Sequence, residues 1–600
     1  MLAAIAPFAL LALCAAPWLI LVGRRFGHML GAVGVLAGLA LLVLASFHVS
    51  YFLDADPVWT VLVAVGVGGA LGLYLLVRRH GIPPRPGRAA VATWLPASAG
   101  LLAWLGTLSI SPLVSGSIRG WAMNGDAVNN IQITRAMLDN HGFLLTSFRG
   151  VPLQNELLGI AMWAGRGGAA SDVFAHDLYA LAVFYALAIG LTGMFIGVVV
   201  TSLIPSTRPL HIAIVSALAS LSCATWFVSG LPIESGYLNV HVVLPFALAS
   251  WLAHLQSRRH PLASGIVLAC LTLVVLESWG PLAVVPAGFG LAILLRHRNR
   301  LRVPRGAAGI AVVAVVAMAA IAGAIAAIAT FRSAMELLTA APHGFPFTGI
   351  ALACAVIGSI ATAIVARRRG LADAFEGVVA VCIAAAVGLA LLVAINAGSI
   401  VPWLAYYPAK YTWLVTVIVL AVFASLLVRL AEGLPARRAL PVAAAVVVIA
   451  LAVATTGPAP QRQNFTIEQP LARILTDAVW TEGERSVNTI IRYNGSPEII
   501  MQWATGSPDE AVVNFWGLAF KGSGVGQGND TARLYTVWAY RAQRDTGTFT
   551  TPPPSTLCAV VTSLGGSAII DTRDTGLASD LRAKCPEVRF DIRIAPPSRK

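Results

Sequence analysis

The chain has 600 residues, 57% of them apolar and 11% charged, with a mean hydropathy of +0.78. A water-soluble globule of that composition would expose large apolar patches, so the solvent of this chain is mostly lipid. The net charge of +14 invites a nucleic-acid reading, but the excess sits in residues 1–460, where 26 cations face 13 acids, while residues 461–600 carry 15 against 14. In the first part the arginines cluster between apolar runs, which is the positive-inside pattern of a membrane protein and excludes a polyanion site.

Taken in order, apolar runs long enough to cross about 30 Å of hydrocarbon lie near 3–22, 29–48, 58–77, 90–111, 176–203, 210–229, 238–255, 261–278, 281–295, 306–330, 347–366, 371–395, 411–429 and 439–456. These predict a mainly α fold, a polytopic bundle of about fourteen helices occupying residues 1–456. The run 281–295 is short and follows the tight turn Glu277-Ser278-Trp279-Gly280-Pro281, so this pair also reads as a re-entrant hairpin. The first run has no basic flank before it and reads as a retained helix with its N-terminus outside, not a cleaved signal peptide.

Placing the clusters Arg24-Arg25, 78–88, Arg208, Arg258-Arg259, 296–305, 367–369 and 429–438 in the cytoplasm forces one alternation of the helices. The acids then separate the opposite way. Asp54, Asp56, Asp126, Asp139, Glu156, Asp172, Asp177, Glu234, Glu277 and Glu336 fall outside; Asp373, Glu376 and Glu432 fall inside. The positive-inside rule does not use acids, so this segregation is independent information. It predicts an outer face rich in carboxylates, a long external loop over 112–175, and an extracytoplasmic C-terminal α/β domain over 457–600, after the breaker Thr456-Gly457-Pro458-Ala459-Pro460.

That tail ends as strand, helix, strand: runs at 557–561 and 568–570, a helix over 576–584, and an alternating strand over 588–594. Its two cysteines, Cys558 and Cys585, bracket this unit, and an oxidising compartment permits a disulfide between them. The other five, Cys14, Cys223, Cys270, Cys354 and Cys382, lie inside apolar runs as packing residues. The sequence contains no Walker A motif, nucleophile elbow or usable GxGxxG, so nothing points to ATP or a dinucleotide.

The most informative stretch runs from Trp121 to Gly142. Asp126 starts a short amphipathic helix with Val128, Ile131 and Ala136 near one face, and Gly142 closes it. An N-cap needs no further function; a carboxylate at the membrane surface could equally act as general base on an acceptor hydroxyl. This stretch, an Asp, a short helix carrying Arg135, then a Gly, resembles the first large external loop of the GT-C superfamily of membrane glycosyltransferases. It is similar as well to large actinobacterial membrane proteins grouped near that superfamily. The resemblance is close over about 20 residues and loose elsewhere. It departs from the family in that the loop follows the fourth helix and Asp126 has no adjacent acid.

The resemblance implies a glycosyltransferase of the bacterial inner membrane. It would move a sugar from a polyprenyl-phosphate donor to a cell-envelope polysaccharide or lipid-linked acceptor, with inversion at the anomeric carbon. Asp126 would be its base, and Asn124, Asn129 and Asn130 beside it would bind substrate.

Lys410 is the second signal, the only lysine in residues 1–460. It stands among Trp403, Tyr406, Tyr407, Tyr411 and Trp413. Either the group is an interfacial belt with a snorkelling amine, or Lys410 holds a donor phosphate while Tyr406 and Tyr407 stack on sugar; Arg119 and Arg135 are alternative phosphate partners. Asp172, His176 and Asp177 cluster where the fifth helix enters, as a divalent-metal or proton-transfer group or as a solvated cap. Glu234 and His241 flank another outer loop as substrate-binding or structural residues. The competing functional class is a transporter or flippase of lipid-linked glycan; a glycan polymerase or ligase would share the same face.

Overall fold

The computed structural model describes residues 2–80, 87–114, 119–123, 127–143, 152–166, 170–237, 239–299, 349–398, 405–432, 470–476, 498–502, 567–572 and 576–594, with isolated positions between them. The chain is a multi-pass membrane protein built as a mainly α bundle. Eight described helical stretches are long and apolar enough to cross a membrane, or nine if the bent pair Pro209–Ala224 and Trp226–Ile233 is one span. The expected runs 306–330 and 439–456 lie outside the described residues, apart from single positions.

The helices are α1 (Leu2–Phe26), α2 (His28–Leu53), α3 (Pro57–His80), α4 (Arg88–Ala97), α5 (Ala99–Val114), α6 (Ala127–Asp139), α7 (Pro152–Met162), α8 (Ala170–Thr201), α9 (Pro209–Ser220), α10 (Leu231–Ser235), α11 (Asn239–Leu255), α12 (Pro261–Trp279), α13 (Val284–His297), α14 (Gly349–Arg368), α15 (Ala372–Ile395) and α16 (Tyr406–Ala431). Helices at the rim keep apolar stripes facing outward. On α3, Trp59, Val63, Val67, Leu71 and Tyr74 recur every three or four residues and are all exposed; in this bundle they form a lipid face. Helices α8, α11 and α16 are buried nearly all round and form the centre.

Several boundaries differ from the sequence reading for local reasons. The run 90–111 is broken at Ser98, behind Pro96, into α4 and α5. The run 210–229 bends by 49° where a 3-10 turn, Leu221–Ala224, meets a π-helical turn, Trp226–Gly230. The pair α12 and α13 is a hairpin around the 3-10 turn Gly280–Ala283. His260, just before α12, packs edge-on against Phe26 at the end of α1, and Arg296 in the last turn of α13 pairs with Asp373 at the start of α15. Trp279, between them, stacks on Tyr407 at the start of α16.

These contacts define two ends of the bundle. At the arginine end, Glu432 is fully buried and pairs with Arg208 and with His211 (2.9 Å), while Arg296 bridges Asp373 (2.6 Å) and Glu376. At the opposite end, which carries α6 and α7 and is termed the loop end here, His141 meets Asp54 (2.8 Å), Arg166 meets Asp139, and Trp163 donates its indole N–H to Asp56 (3.1 Å). Each of the three acids expected beside the arginine clusters is ion-paired with one of those arginines.

The C-terminal region contributes α17 (Pro470–Thr476), which lies against α5, and a parallel sheet in the order β1 (Glu498–Gln502), β2 (Ser567–Thr572), β3 (Arg589–Ile594). Ile500, Ile570 and Ile592 stand opposite one another across it. Helix α18 (Leu577–Lys584) connects β2 to β3, and Cys558 and Cys585 are joined by a disulfide. Cys558, in the run 557–561 that reads as a strand, is helical, as is Thr562 just beyond it, whose hydroxyl donates to the Cys558 carbonyl one turn back.

Lipid gives helices no hydrophobic reason to associate, so close packing over small residues does the work. A Cβ on Gly193 of α8 would lie 2.4 Å from the Ser220 carbonyl and 2.6 Å from Cys223 Sγ. Gly193→Val should therefore destabilise the bundle by about 1–3 kcal/mol through overpacking. A lower thermal midpoint in detergent checks this, and an unchanged one would mean that α8 and α9 are not in contact there.

Candidate functional site

The loop end is organised by α6 and α7, which lie between α5 and α8 in sequence. Helix α6 buries Val128, Ile131, Met137 and Leu138, while Asn129 and Asn130 stay half-buried. Gly142 then stops the chain against α2. It has φ +119°, and a Cβ there would lie 2.2 Å from the Phe47 carbonyl oxygen, so only glycine fits both the conformation and the contact. Asn124 and Asp126, just before α6, lie outside the described residues; Arg119 stands just before the 3-10 turn Gly120–Ala122.

Arg135 lies one turn beyond Ile131 on the buried face of α6. Its Nε donates to Asp177 Oδ2 at 2.7 Å, and its guanidinium sits over the Phe174 ring. Asp177 is fully buried two turns inside α8, which starts six residues earlier than the run 176–203 suggests. A solvated cap at this position is thereby corrected: the carboxylate is an internal anchor binding α6 to α8. His176 is half-buried and packs over Gly165, and the Asp172 side chain is outside the described residues. No group of three His, Cys, Asp or Glu among the described residues could hold a metal ion.

Helix α7 is the least expected element. It is eleven residues long, almost entirely buried, and packed among α1, α2, α6, α8 and α12. Apolar residues explain most of that, but Gln154, Asn155 and Glu156 are buried with them, at 1%, 0% and 0% exposure. Thr134 of α6 donates to Asn155 Oδ1 at 3.3 Å. The Asn155 amide nitrogen, both amide atoms of Gln154 and both oxygens of Glu156 have no hydrogen-bond partner among the described residues. Each such atom costs about 1–3 kcal/mol, so five approach the order of 5–15 kcal/mol that separates a typical fold from its unfolded state. Burial first, and repulsion from Glu277 of α12 second, hold the Glu156 carboxyl well above the ordinary glutamate value of 4.5.

Lys410 forms the second half of the loop end. Helix α16 begins at Tyr406, so Tyr406, Tyr407 and Lys410 belong to its first turns. Lys410 is 3% exposed. Its Nζ donates to Asn239 Oδ1 at 3.0 Å and lies 4.4 Å from the Tyr237 ring, 5.5 Å from Tyr406 and 5.8 Å from Trp279. Three rings around one desolvated ammonium are worth about 2 kcal/mol or more in cation–π attraction. Trp279 stacks on Tyr407 and Tyr411 behind the cage.

The last turn of α12 links the two halves: Glu277 is within electrostatic reach of Glu156 on α7, and Trp279 lies against Lys410 and Tyr407 of α16. His241 is fully buried below this level, with its Nδ1 3.3 Å from the Thr192 hydroxyl. Glu234 lies on α10, its side chain outside the described residues. The structure therefore brings Lys410, Tyr406 and Tyr407 together, commits Arg135 and Asp177 to each other, and seats His241 in the core. In the sequence Glu156 is only one of ten acids assigned to the outer face. The available signal was the polar triplet 154–156 inside an otherwise apolar helix.

No family model matches the sequence, and neither a curated protein nor a solved structure matches the chain.

The raised Glu156 value has a definite sign. The native state keeps a proton that the unfolded state releases at lower pH, so stability falls as pH climbs from 4.5 to the raised value and is level above it. Glu156→Gln keeps the shape without a titrating proton and should remove that slope, leaving the variant at least as stable as the parent at about pH 8. Thermal midpoints across pH check this; parallel curves for the two proteins would contradict it.

Proposed function

We propose that this protein is a glycosyltransferase of the bacterial inner membrane, taking a sugar from a polyprenyl-phosphate donor at the loop end and passing it to a cell-envelope glycan or lipid-linked acceptor. The observation that carries this reading is the Lys410 cage. A compact cation buried at the end of a membrane bundle is suited to a lipid phosphate, and the flanking tyrosines and tryptophan offer flat apolar faces of the kind that sugar rings stack against.

In this mechanism Asp126 accepts the proton of an acceptor hydroxyl. The hydroxyl oxygen bonds to the anomeric carbon from the face opposite the phosphate. The bond from that carbon to the phosphate oxygen breaks, its electron pair leaving with polyprenyl phosphate, and Lys410 balances the charge that develops there. Arg119 is a second candidate for the phosphate, and Asn124, Asn129, Asn130, Tyr406 and Tyr407 for substrate contacts. Arg135 is engaged by Asp177, which favours a positioning role, and the burial of His241 favours a structural one. The donor carries its own activation in the phosphate ester, so the reading needs no nucleotide fold.

Sidedness follows from charge. The end rich in arginine clusters is assigned to the cytoplasm and the loop end to the outside. The Cys558–Cys585 disulfide and the packing of α17 on α5 support an extracytoplasmic α/β tail on the same side. A second reading, transport of lipid-linked glycan, draws on Glu277, buried within an apolar helix of the bundle, because intramembrane acids often line substrate paths.

In vesicles carrying the full-length protein and a polyprenyl-phosphate sugar, Lys410→Met and Asp126→Asn should each cut transfer by about 100-fold or more. Full transfer by both would remove the site, and movement of the lipid without transfer would favour transport. Asn140→Cys should react with a membrane-impermeant maleimide in intact cells, whereas Arg368→Cys should react only after permeabilisation. The reverse pattern would invert the topology and end the proposal.

A further inference from the structure

We infer that Asn155 and Glu156 of α7, together with Glu277 of α12, form a subsite for the hydroxyl groups of an uncharged sugar. This deepens the transferase reading and rests on it for the source of the sugar. The position is set by helix geometry. Asn155 accepts from Thr134 of α6, and Glu156, about 100° further round, is within electrostatic reach of Glu277 on α12, a helix packed against α7. Gln154 lies a further step away from α12 and is left out of the subsite.

The chemistry of the unpartnered atoms selects the ligand. Asn155 presents an amide N–H, a donor, and the protonated carboxyl of Glu156 presents one O–H donor and an acceptor oxygen. A metal or alkali cation would have to displace the Glu156 proton and would leave the Asn155 donor unmet. An anion, including the donor phosphate, would find no positive charge in this group. A sugar hydroxyl donates to the carboxyl's acceptor oxygen and accepts from an amide with the same oxygen, so one neutral polyol meets both kinds of atom. The phosphate is left to Lys410, the cation beside Trp279 at the end of α12. The charged end of a glycosyl phosphate is thus drawn to the cage, and its neutral sugar to uncharged hydrogen-bonding groups.

The test uses full-length protein in nanodiscs and two sets of probes. One set is short-chain polyprenyl phosphate alone and the same lipid bearing mannose, glucose or arabinofuranose. The other is the corresponding free oligosaccharides. Glu156→Gln and Asn155→Leu should weaken at least one sugar-bearing lipid about tenfold or more, as expected when a hydrogen-bonding site loses a partner, while leaving the bare polyprenyl phosphate unchanged. Lys410→Met should weaken both lipids.

Equal affinity of parent and variants for every sugar-bearing lipid would overturn the subsite while leaving the transferase reading intact. Binding of a free oligosaccharide in a Glu156-dependent way, with no lipid bound, would keep the subsite and remove the polyprenyl donor. Failure of the parent to bind any probe would remove both. If Glu156→Gln does not fold, Glu277→Gln carries the same comparison from α12.

Discussion

Among the described residues of the apolar bundle, charge gathers at the two ends, and there the acids are mostly paired or capped. An ion taken out of water costs several kcal/mol unless a partner and hydrogen bonds offset it. Glu432 is met by Arg208 and His211, Asp373 and Glu376 by Arg296, and Asp177 by Arg135. These pairs do more than neutralise. Each ties together helices that are distant in sequence: α9 to the end of α16, α13 to the start of α15, and α6 to α8. The bundle is closed at its rims by polar contacts, while its middle is held by close packing over small residues such as Gly193.

Against that rule, α7 stands out. It brings three adjacent polar side chains into full burial at the loop end, and the described residues satisfy only part of their hydrogen-bonding capacity. A structural helix in that position could have been apolar on every side at no cost to packing. Polar residues held where they destabilise the fold are the ordinary mark of a binding or catalytic position. The caged Lys410 meets the same helix end, α12, through Trp279.

Much of the fold is legible in the sequence because lipid reduces the problem to length and polarity. The spans, the arginine clusters and the opposite segregation of acids all follow from one-dimensional patterns. The turn at Gly142 and the short helix before it are legible for the same reason, since a helix with one buried face and a glycine stop leaves a local trace. The contacts that define the site leave none. Asn239 meets Lys410 across 171 residues, and Glu156 comes within electrostatic reach of Glu277 across more than a hundred, so only the folded bundle brings them together. Reading Asp177 as a helix cap failed because α8 begins earlier than its apolar run: polar residues at a span's edge do not reveal whether they face water or another helix.

The bend between α9 and α10 bears on how such a protein could move. Helix α8 is locked to α9 where Gly193 meets Ser220, so these two can be expected to travel as one solid piece. Immediately beyond that lock the backbone passes through a tight turn and then a wide one, and its direction changes by 49°. A helix that is overwound and then underwound over a few residues is a natural flexure point, comparable to a living hinge moulded into a stiff strip. Opening of the loop end would then need no sliding of the central helices, only rotation of the segment that carries Tyr237, one wall of the lysine cage.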